Sequence, residues 1–171
     1  MQAIAHVPEP VIRDELRVCL DAASNYHRNY YAWSHRIWIV ENLVSLSVPL
    51  IHEELQTTRN WIQRHVSDFS AFHYRQLLLP KLKTLCSSFS ESLVSEFTML
   101  DDLFRTFPDR ESLFLHRRFL LIMLSSDGVD CATNEKKFIE CQKLVAGKND
   151  WHLFLIQRHQ KWAEFFFKNR F

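Results

Sequence analysis

Apolar side chains recur every three or four residues along this chain, which is the spacing of one face of an α-helix. In the clearest stretch, Trp33, Ile37, Val40 and Val44 form one apolar stripe. The chain has only two glycines and five prolines among 171 residues. So few turn-forming residues argue against an all-β protein and favour long helices joined by short links.

Turn and capping residues divide this pattern into eight helices in four consecutive pairs. The predicted pairs occupy residues 9–46, 50–80, 88–124 and 133–168. Pro80 is expected to bend or end the fourth helix, and Gly147 to end the seventh. The predicted N-caps are Ser67 or Asp68 for the fourth helix, Ser88 for the fifth, Asp109 for the sixth and Asn149 or Asp150 for the eighth.

A short motif recurs along the chain: an aromatic residue followed by an arginine about one helical turn later. The aromatic residues are Trp33, Phe72, Phe114 and Phe154, and they are separated by 39, 42 and 40 residues. A repeat period near forty residues is typical of a solenoid of helical hairpins. The sequence therefore predicts an all-α fold, an α-α superhelix of about four hairpins, with residues 1–171 forming a single repeat domain.

The residue types of the motif indicate a structural role. With Asn29 as the N-cap of a helix, Trp33 and Arg36 follow four and seven positions later on the same stripe of that helix. A guanidinium buried between hairpins must find carbonyl or carboxylate acceptors for its donors. We therefore expect the motif to hold one hairpin against the next. The corresponding residues of the second and third copies are Phe72, Arg75, Phe114 and Arg118.

The first copy carries two additional residues at the predicted helix N-terminus, Arg28 and Tyr30. A helix N-terminus presents free N–H groups and the positive end of the helix dipole, so it favours anions. A guanidinium and a phenolic hydroxyl beside it could hold a phosphate group. The alternative is a solvated loop arginine and a tyrosine that contributes only packing, and the sequence leaves both open.

Charge and cysteine content narrow the classes of function. The chain has 21 basic and 20 acidic residues and a net charge of +1, which gives no reason to expect a nucleic acid or an anionic membrane as partner. No run of apolar residues is long enough for a membrane span. Its four cysteines form no CxxC pair and no signal peptide is recognised, so the sequence predicts reduced thiols and a cytoplasmic location.

Histidines at corresponding places in three repeat copies are expected to form hydrogen bonds between helices. They are His35, His73 and His116, and no other clustering of histidines suggests ligand spacing. The sequence therefore predicts neither a metal site nor a cofactor site in this chain.

The pattern Asn-Tyr-x-Ala-Trp-x-His-Arg at residues 29–36 resembles the repeat of protein prenyltransferase alpha subunits. The segment Glu-Ser-Leu-Phe at 111–114 is similar to later repeats of that family, in which a basic residue lies four positions past the aromatic residue. Arg118 occupies that place. The resemblance covers most of the chain, and its first motif is the most specific.

The resemblance implies a superhelix of helical hairpins that curves around a separate beta subunit. In that family the beta subunit holds a zinc ion and most of the isoprenoid pocket. The pair transfers an isoprenoid from its diphosphate to a cysteine near the C-terminus of an acceptor protein. The alpha subunit contributes a lysine and a tyrosine near the diphosphate, and these positions correspond to Arg28 and Tyr30.

Two departures from the family pattern leave a second hypothesis open. Arginine replaces the family lysine at position 28, which keeps the charge and changes its shape. The chain is also shorter than the alpha subunits it resembles, so we expect a short or N-terminally truncated form. The second hypothesis is a helical-repeat scaffold that binds proteins and has no part in prenyl transfer.

Overall fold

The computed structural model describes residues 7–26, 28–43, 47–86 and 89–168. Within these ranges the chain forms eight α-helices and no β-strand. None of these helices is both long enough and apolar enough to cross a membrane. The helices are α1 Glu9–Asn25, α2 Tyr30–Asn42, α3 Val48–Ile62, α4 Phe69–Leu85, α5 Phe89–Thr106, α6 Glu111–Ser126, α7 Ala132–Ala146 and α8 Asp150–Phe167.

The first compact unit contains α1 to α4. Helix α1 packs on α2, α3 packs on α4, and α2 also contacts α4, so two helical hairpins share one core. Aromatic rings fill the centre of that core. The ring of Trp33 meets that of Trp61 edge to face at 5.0 Å and lies 5.9 Å from that of Tyr74. Such contacts add to the stabilisation that apolar burial provides.

The second compact unit contains α5 to α8 together with residues 63–67. Helix α5 packs on α6, α7 packs on α8, and α6 also contacts α8. The rings of Phe104, Phe114 and Phe138 form its aromatic centre, with centroid distances of 5.0 to 6.3 Å. The two units therefore have the same internal arrangement of two hairpins.

Two of the predicted helix caps agree with the structure, and that of the sixth helix does not. The side chains of Asp68 and Asn149 cap α4 and α8, as predicted, and Gly147 follows α7 with a positive φ of 54°. The N-cap of α6 is Arg110, which makes no capping bond with its side chain, so the prediction of Asp109 is wrong by one residue. The predicted N-cap Ser88 lies outside the described residues.

The fourth helix continues through Pro80 to Leu85, so of the two predicted effects of Pro80, a bend or an end, the end is wrong. An internal proline removes one backbone hydrogen bond and costs about 3 kcal/mol. Leu78, Leu79 and Leu82 are fully buried around it. Each fully buried leucine contributes about 1.5–3 kcal/mol, so packing on both sides outweighs the loss. Predicted ends for the remaining helices differ by a few residues.

The predicted all-α class of helical hairpins is confirmed by this arrangement. Contacts between residues divide the chain into the two units described. This division does not test whether residues 1–171 form a single domain, so that statement stays a prediction.

Candidate functional site

The motif of the first repeat lies at the start of α2 and has the predicted helix cap. The Asn29 Oδ1 atom accepts from the backbone N–H of Ala32 at 3.2 Å, and Asn29 Nδ2 donates to the carbonyl of Ala22 at 3.3 Å. Asn29 therefore caps α2 and ties it to α1. Trp33 and Arg36 follow on the same stripe and are each only 2% exposed.

The buried guanidinium of Arg36 binds a carboxylate on the next hairpin. Its Nε and Nη2 atoms donate to the two carboxylate oxygens of Glu54, each at 2.8 Å, and Nη1 donates to the carbonyl of Leu16. The Tyr74 hydroxyl donates to Glu54 Oε2 at 2.6 Å. Burial and the charge of Glu54 raise the pKa of Tyr74 well above its usual value, so this phenol stays protonated as a donor.

The arginine of the second repeat keeps one of these contacts. Arg75 is also 2% exposed and donates to the carbonyl of Leu55, as Arg36 donates to that of Leu16. In both repeats the carbonyl lies 20 residues before the arginine. Arg75 also donates to the hydroxyl of Thr58 at 2.6 Å.

In the third repeat the buried arginine is Arg117, which the sequence analysis did not name. The motif role predicted for Arg118 stays a prediction. Arg117 donates to both carboxylate oxygens of Glu135 at 2.9 to 3.1 Å, and its guanidinium lies 3.6 Å from the ring centre of Phe138. The pair spans 18 residues, as does that of Arg36 and Glu54. Phe114, three residues before Arg117, is buried as predicted.

Arg118 lies on a different stripe of α6, because adjacent residues of a helix are rotated by about 100°. Its side chain is half-buried and points towards α8, where its Nε atom donates to His159 Nδ1 at 3.2 Å. The guanidinium is 5.5 Å from the ring centre of Trp162.

The fourth repeat keeps the cap and loses the aromatic-plus-arginine pattern. Phe154 is 47% exposed, so it does not occupy the buried position predicted for the repeat aromatic. Counted from the cap Asn149, the position that holds arginine in the other repeats is Ile156, which is 1% exposed. Ile139 on the neighbouring helix α7 is also buried, so in this repeat apolar side chains take the place of the buried arginine.

Two acidic partners, Glu54 and Glu135, were missed by the sequence analysis. Both are at least 96% buried, and each lies 18 residues after the arginine that it binds. A search for a carboxylate at that fixed distance from each repeat arginine would have found both. It would also have chosen Arg117 over its neighbour.

A histidine on α8 extends the buried ion pair of the second unit. His159 Nε2 lies 2.6 Å from Glu135 Oε1, and both side chains are fully buried. Burial lowers the pKa of His159, and hydrogen bonds from His159 and Arg117 lower the pKa of Glu135 although its burial opposes this. The arrangement therefore contains a neutral imidazole and an ionised carboxylate.

Arg28 and Tyr30 lie together at the exposed N-terminal edge of α2. Arg28 has a left-handed backbone with φ of 56°, and its carbonyl accepts from the N–H of Tyr30 at 2.8 Å. The Tyr30 side chain is 66% exposed and its ring contacts that of Tyr31 edge to face. Neither side chain forms a hydrogen bond to another described residue. Both are thus presented outwards, in contrast to the buried Trp33 and Arg36.

The three repeat histidines are placed unequally. His116 is fully buried and lies 3.2 Å from Glu96, which is the predicted contact between helices. His35 lies 3.4 Å from Glu15 at an exposed position, and His73 is exposed. Among the described residues no three histidine, cysteine, aspartate or glutamate side chains are grouped as ligands for a metal ion.

Comparison with known proteins identifies a repeat family in the first unit. Residues 12–43 and 51–82 match the family described as protein prenyltransferase alpha subunit repeat. Each match spans one helical hairpin, and the first contains the edge at residues 28–30. Repeats of this type form an α-α superhelix, so the predicted fold class is confirmed.

Several curated proteins are similar to this chain. A Danio rerio protein named protein prenyltransferase alpha subunit repeat-containing protein 1 is 34% identical over 141 residues, covering 66% of the chain and 33% of that protein. Its Homo sapiens namesake is 50% identical over 72 residues, covering 42% and 18%. The geranylgeranyl transferase type-2 subunit alpha of Rattus norvegicus is 26% identical over 144 residues, covering 81% and 25%. The chain therefore spans about a third or less of these relatives.

Proposed function

Because the chain belongs to the family of proteins built from the protein prenyltransferase alpha subunit repeat, we propose that it serves as the alpha-type subunit of a protein prenyltransferase. In this role it pairs with a beta-type subunit in the cytoplasm. The pair transfers an isoprenoid from its diphosphate to a cysteine near the C-terminus of an acceptor protein. Similarity to the alpha subunits of geranylgeranyl transferase type-2 supports the proposal.

The observation that carries the proposal is the exposure of Arg28 and Tyr30 at the N-terminus of α2, within the first matched repeat. A cation and a hydroxyl at the positive end of a helix suit a diphosphate, which gains negative charge as it leaves the isoprenoid. Donors aimed at developing charge lower the barrier to reaction. In the proposed role Arg28 and Tyr30 therefore stabilise the leaving group.

The proposal divides the chemistry between two chains. Zinc and most of the isoprenoid pocket belong to the beta-type subunit, so this chain alone carries no activity. Zinc lowers the pKa of a thiol bound to it and thereby supplies the nucleophile. What this chain contributes is a set of exposed donors on a rigid helical hairpin, which the buried pair of Arg36 and Glu54 holds in register.

Co-expression with a prenyltransferase beta-type subunit tests the proposal. The two chains are expected to co-purify as a heterodimer at equal stoichiometry, measured by tag capture followed by size-exclusion chromatography. The heterodimer should transfer a radiolabelled isoprenoid to an acceptor with a C-terminal cysteine, whereas either chain alone should not. Failure to form a stable complex with any beta-type subunit would rule out the enzyme-subunit role for this chain.

A second candidate is a scaffold that binds proteins and does not support prenyl transfer. Two observations favour it: arginine replaces the family lysine at position 28, and the Danio rerio and Homo sapiens relatives are named only for their repeat. An inactive heterodimer, or a stable complex with a protein other than a beta-type subunit, would support this candidate. Fold cannot separate the two, because one fold hosts many functions.

A further inference from the structure

Two arginines of the second unit reach across the contact between α6 and α8, and only one of them is paired with a carboxylate among the described residues. Arg118 on α6 donates to His159 on α8, whereas Arg158 on α8 is paired with Glu111 on α6. Arg158 Nη1 lies 2.5 Å from Glu111 Oε1. With two guanidinium groups and one carboxylate, this group keeps one excess positive charge.

The donors of Arg118 are mostly unused. Its Nε atom donates to His159 Nδ1, while neither Nη atom forms a hydrogen bond to any described residue. Because Nδ1 accepts and Nε2 faces Glu135, His159 is the neutral tautomer and adds no charge of its own. Solvent reaches these Nη atoms, so an anion that binds there displaces water and keeps the donors satisfied.

Flanking side chains add an apolar border to this cationic group. The ring of Trp151 stacks on that of Phe154 at 5.5 Å, and the two side chains are 49% and 47% exposed. The Arg158 guanidinium lies 5.6 Å from the ring centre of Phe154. Leu115 is also exposed, in the first half of α6. Exposed aromatic rings beside a cation are typical of protein-binding surfaces.

We propose that Arg118 and Arg158 bind a single carboxylate side chain of a protein partner, and that Trp151 and Phe154 contact apolar residues beside that carboxylate. One excess charge matches a monoanion better than a phosphate group with about two charges. The planar fork of a guanidinium also fits the two oxygens of a carboxylate. A free phosphate would leave the apolar border unused. This inference concerns α6 and α8 and does not depend on the proposed prenyltransferase role.

Fluorescence anisotropy with a labelled peptide tests the inference on the full chain. The probe is an acetylated peptide in which one glutamate lies between leucine and phenylalanine, and its matched control has glutamine in place of that glutamate. We expect the glutamate peptide to bind the full chain more tightly than the glutamine peptide by about tenfold or more, which is the worth of a charged hydrogen bond.

Variants locate the site. R118Q and R158Q should each weaken binding of the glutamate peptide by about tenfold. Arg105 is an exposed arginine of the same unit, paired with Asp102 on its own helix, so R105Q should bind like the unaltered chain. E111Q removes the carboxylate that competes for the same donors, and it should strengthen binding several-fold. A purely structural role for Glu111 would not produce that gain.

Equal binding of the glutamate and glutamine peptides would overturn the inference, as would unchanged binding by a folded R118Q or R158Q. Weaker binding by a folded E111Q would also overturn it. So would displacement of the peptide by phosphate at lower concentration than by acetate. The last would assign the cluster to phosphate groups. Far-UV circular dichroism checks folding, and R158Q decides the case if R118Q does not fold, since Arg158 is largely exposed.

Discussion

Arg36 and Glu54 form a buried ion pair between two consecutive hairpins, and Arg117 and Glu135 form the same pair in the second unit. In both units the arginine lies seven residues after the N-cap of its helix and 18 residues before its carboxylate. A buried ion pair is weak evidence of net stabilisation, because desolvation offsets much of the attraction. An ion pair with two hydrogen bonds nevertheless forms only when the two hairpins are aligned in one register.

Removing one member of the pair should destabilise the first unit strongly. R36M leaves the carboxylate of Glu54 buried without its cation, and such a loss costs about 3–5 kcal/mol. The double variant R36M/E54L should recover at least half of that loss, because an apolar pair needs no counter-charge. The measurement is the free energy of unfolding from urea titrations.

Arg105 provides the control for that cycle, since its side chain is 76% exposed and, within the described part of the chain, pairs only with Asp102 on its own helix. R105M should change the free energy of unfolding by less than about 0.5 kcal/mol. A loss in R36M no larger than that in R105M would contradict a structural role for the buried pair.

Helix α6 should gain stability from a better N-cap. Arg110 has the extended backbone of an N-cap and no capping bond from its side chain, whereas Asn149 caps α8 by accepting from the N–H of His152 at 3.0 Å. R110N should raise the free energy of unfolding by about 0.5–1 kcal/mol, and N149A should lower it by about 1 kcal/mol. Thermal unfolding measures both, and equal melting temperatures for R110N and N149A would contradict the assignment of the caps.

Acidification should destabilise the second unit through His159 and Glu135. The pKa of His159 is lowered in the folded state, so the unfolded chain takes up a proton first as the pH falls below about 6.5. The pKa of Glu135 is also lowered, which extends the loss to pH values below about 4.5. Stability should therefore fall steadily below neutral pH, as measured by urea titrations at pH 7.5, 6.0 and 5.0.

Replacing His159 by glutamine keeps a hydrogen-bonding side chain and removes the titration. H159Q should be less stable than the unaltered chain at pH 7.5 and should lose less stability between pH 7.5 and 5.0. H73Q, at an exposed position, is the control and should follow the unaltered chain. A steeper pH dependence in H159Q would show that this histidine is not buried as a neutral group.

The cysteines should differ in reactivity towards iodoacetamide. Cys19 and Cys131 are buried, and burial raises the pKa of both thiols, so little thiolate is present at neutral pH. Cys141 is exposed. Mass spectrometry of the folded chain at pH 7.5 should find Cys141 alkylated first, and Cys19 and Cys131 only after urea is added. Early modification of Cys19 would contradict its burial.

Within an active heterodimer, Arg28 should matter for turnover and not for assembly. R28A removes a charged contact to the diphosphate and should lower kcat by about 10- to 100-fold, the range for a charged hydrogen bond. R28K restores the charge and should recover most of the activity. Y30F tests the hydroxyl, and F69A, at the equivalent exposed position of α4, is the control. Unchanged turnover in R28A would remove Arg28 from the chemistry.

The sequence determined the helices, their pairing and the repeat, because apolar periodicity and capping depend on local spacing. The predicted caps were Ser67 or Asp68 for α4 and Asn149 or Asp150 for α8, and the structure has Asp68 and Asn149. Predictions from local sequence failed at positions where residues distant along the chain determine the conformation. Pro80 lies inside a helix that buried leucines hold together, and Arg110 takes the cap position without a side-chain bond.

The tertiary structure places two adjacent arginines of the third repeat in different surroundings. Arg117 keeps the three-residue spacing from the aromatic residue that Arg36 and Arg75 also have, and it binds Glu135 on the neighbouring hairpin, whereas Arg118 donates to His159. A rotation of about 100° between adjacent residues then directs Arg118 to a different helix. The sequence by itself determined that arginines would recur with the repeat. Tertiary packing decided which are buried beside a carboxylate and which keep unused donors at the surface, because burial depends on residues distant along the chain.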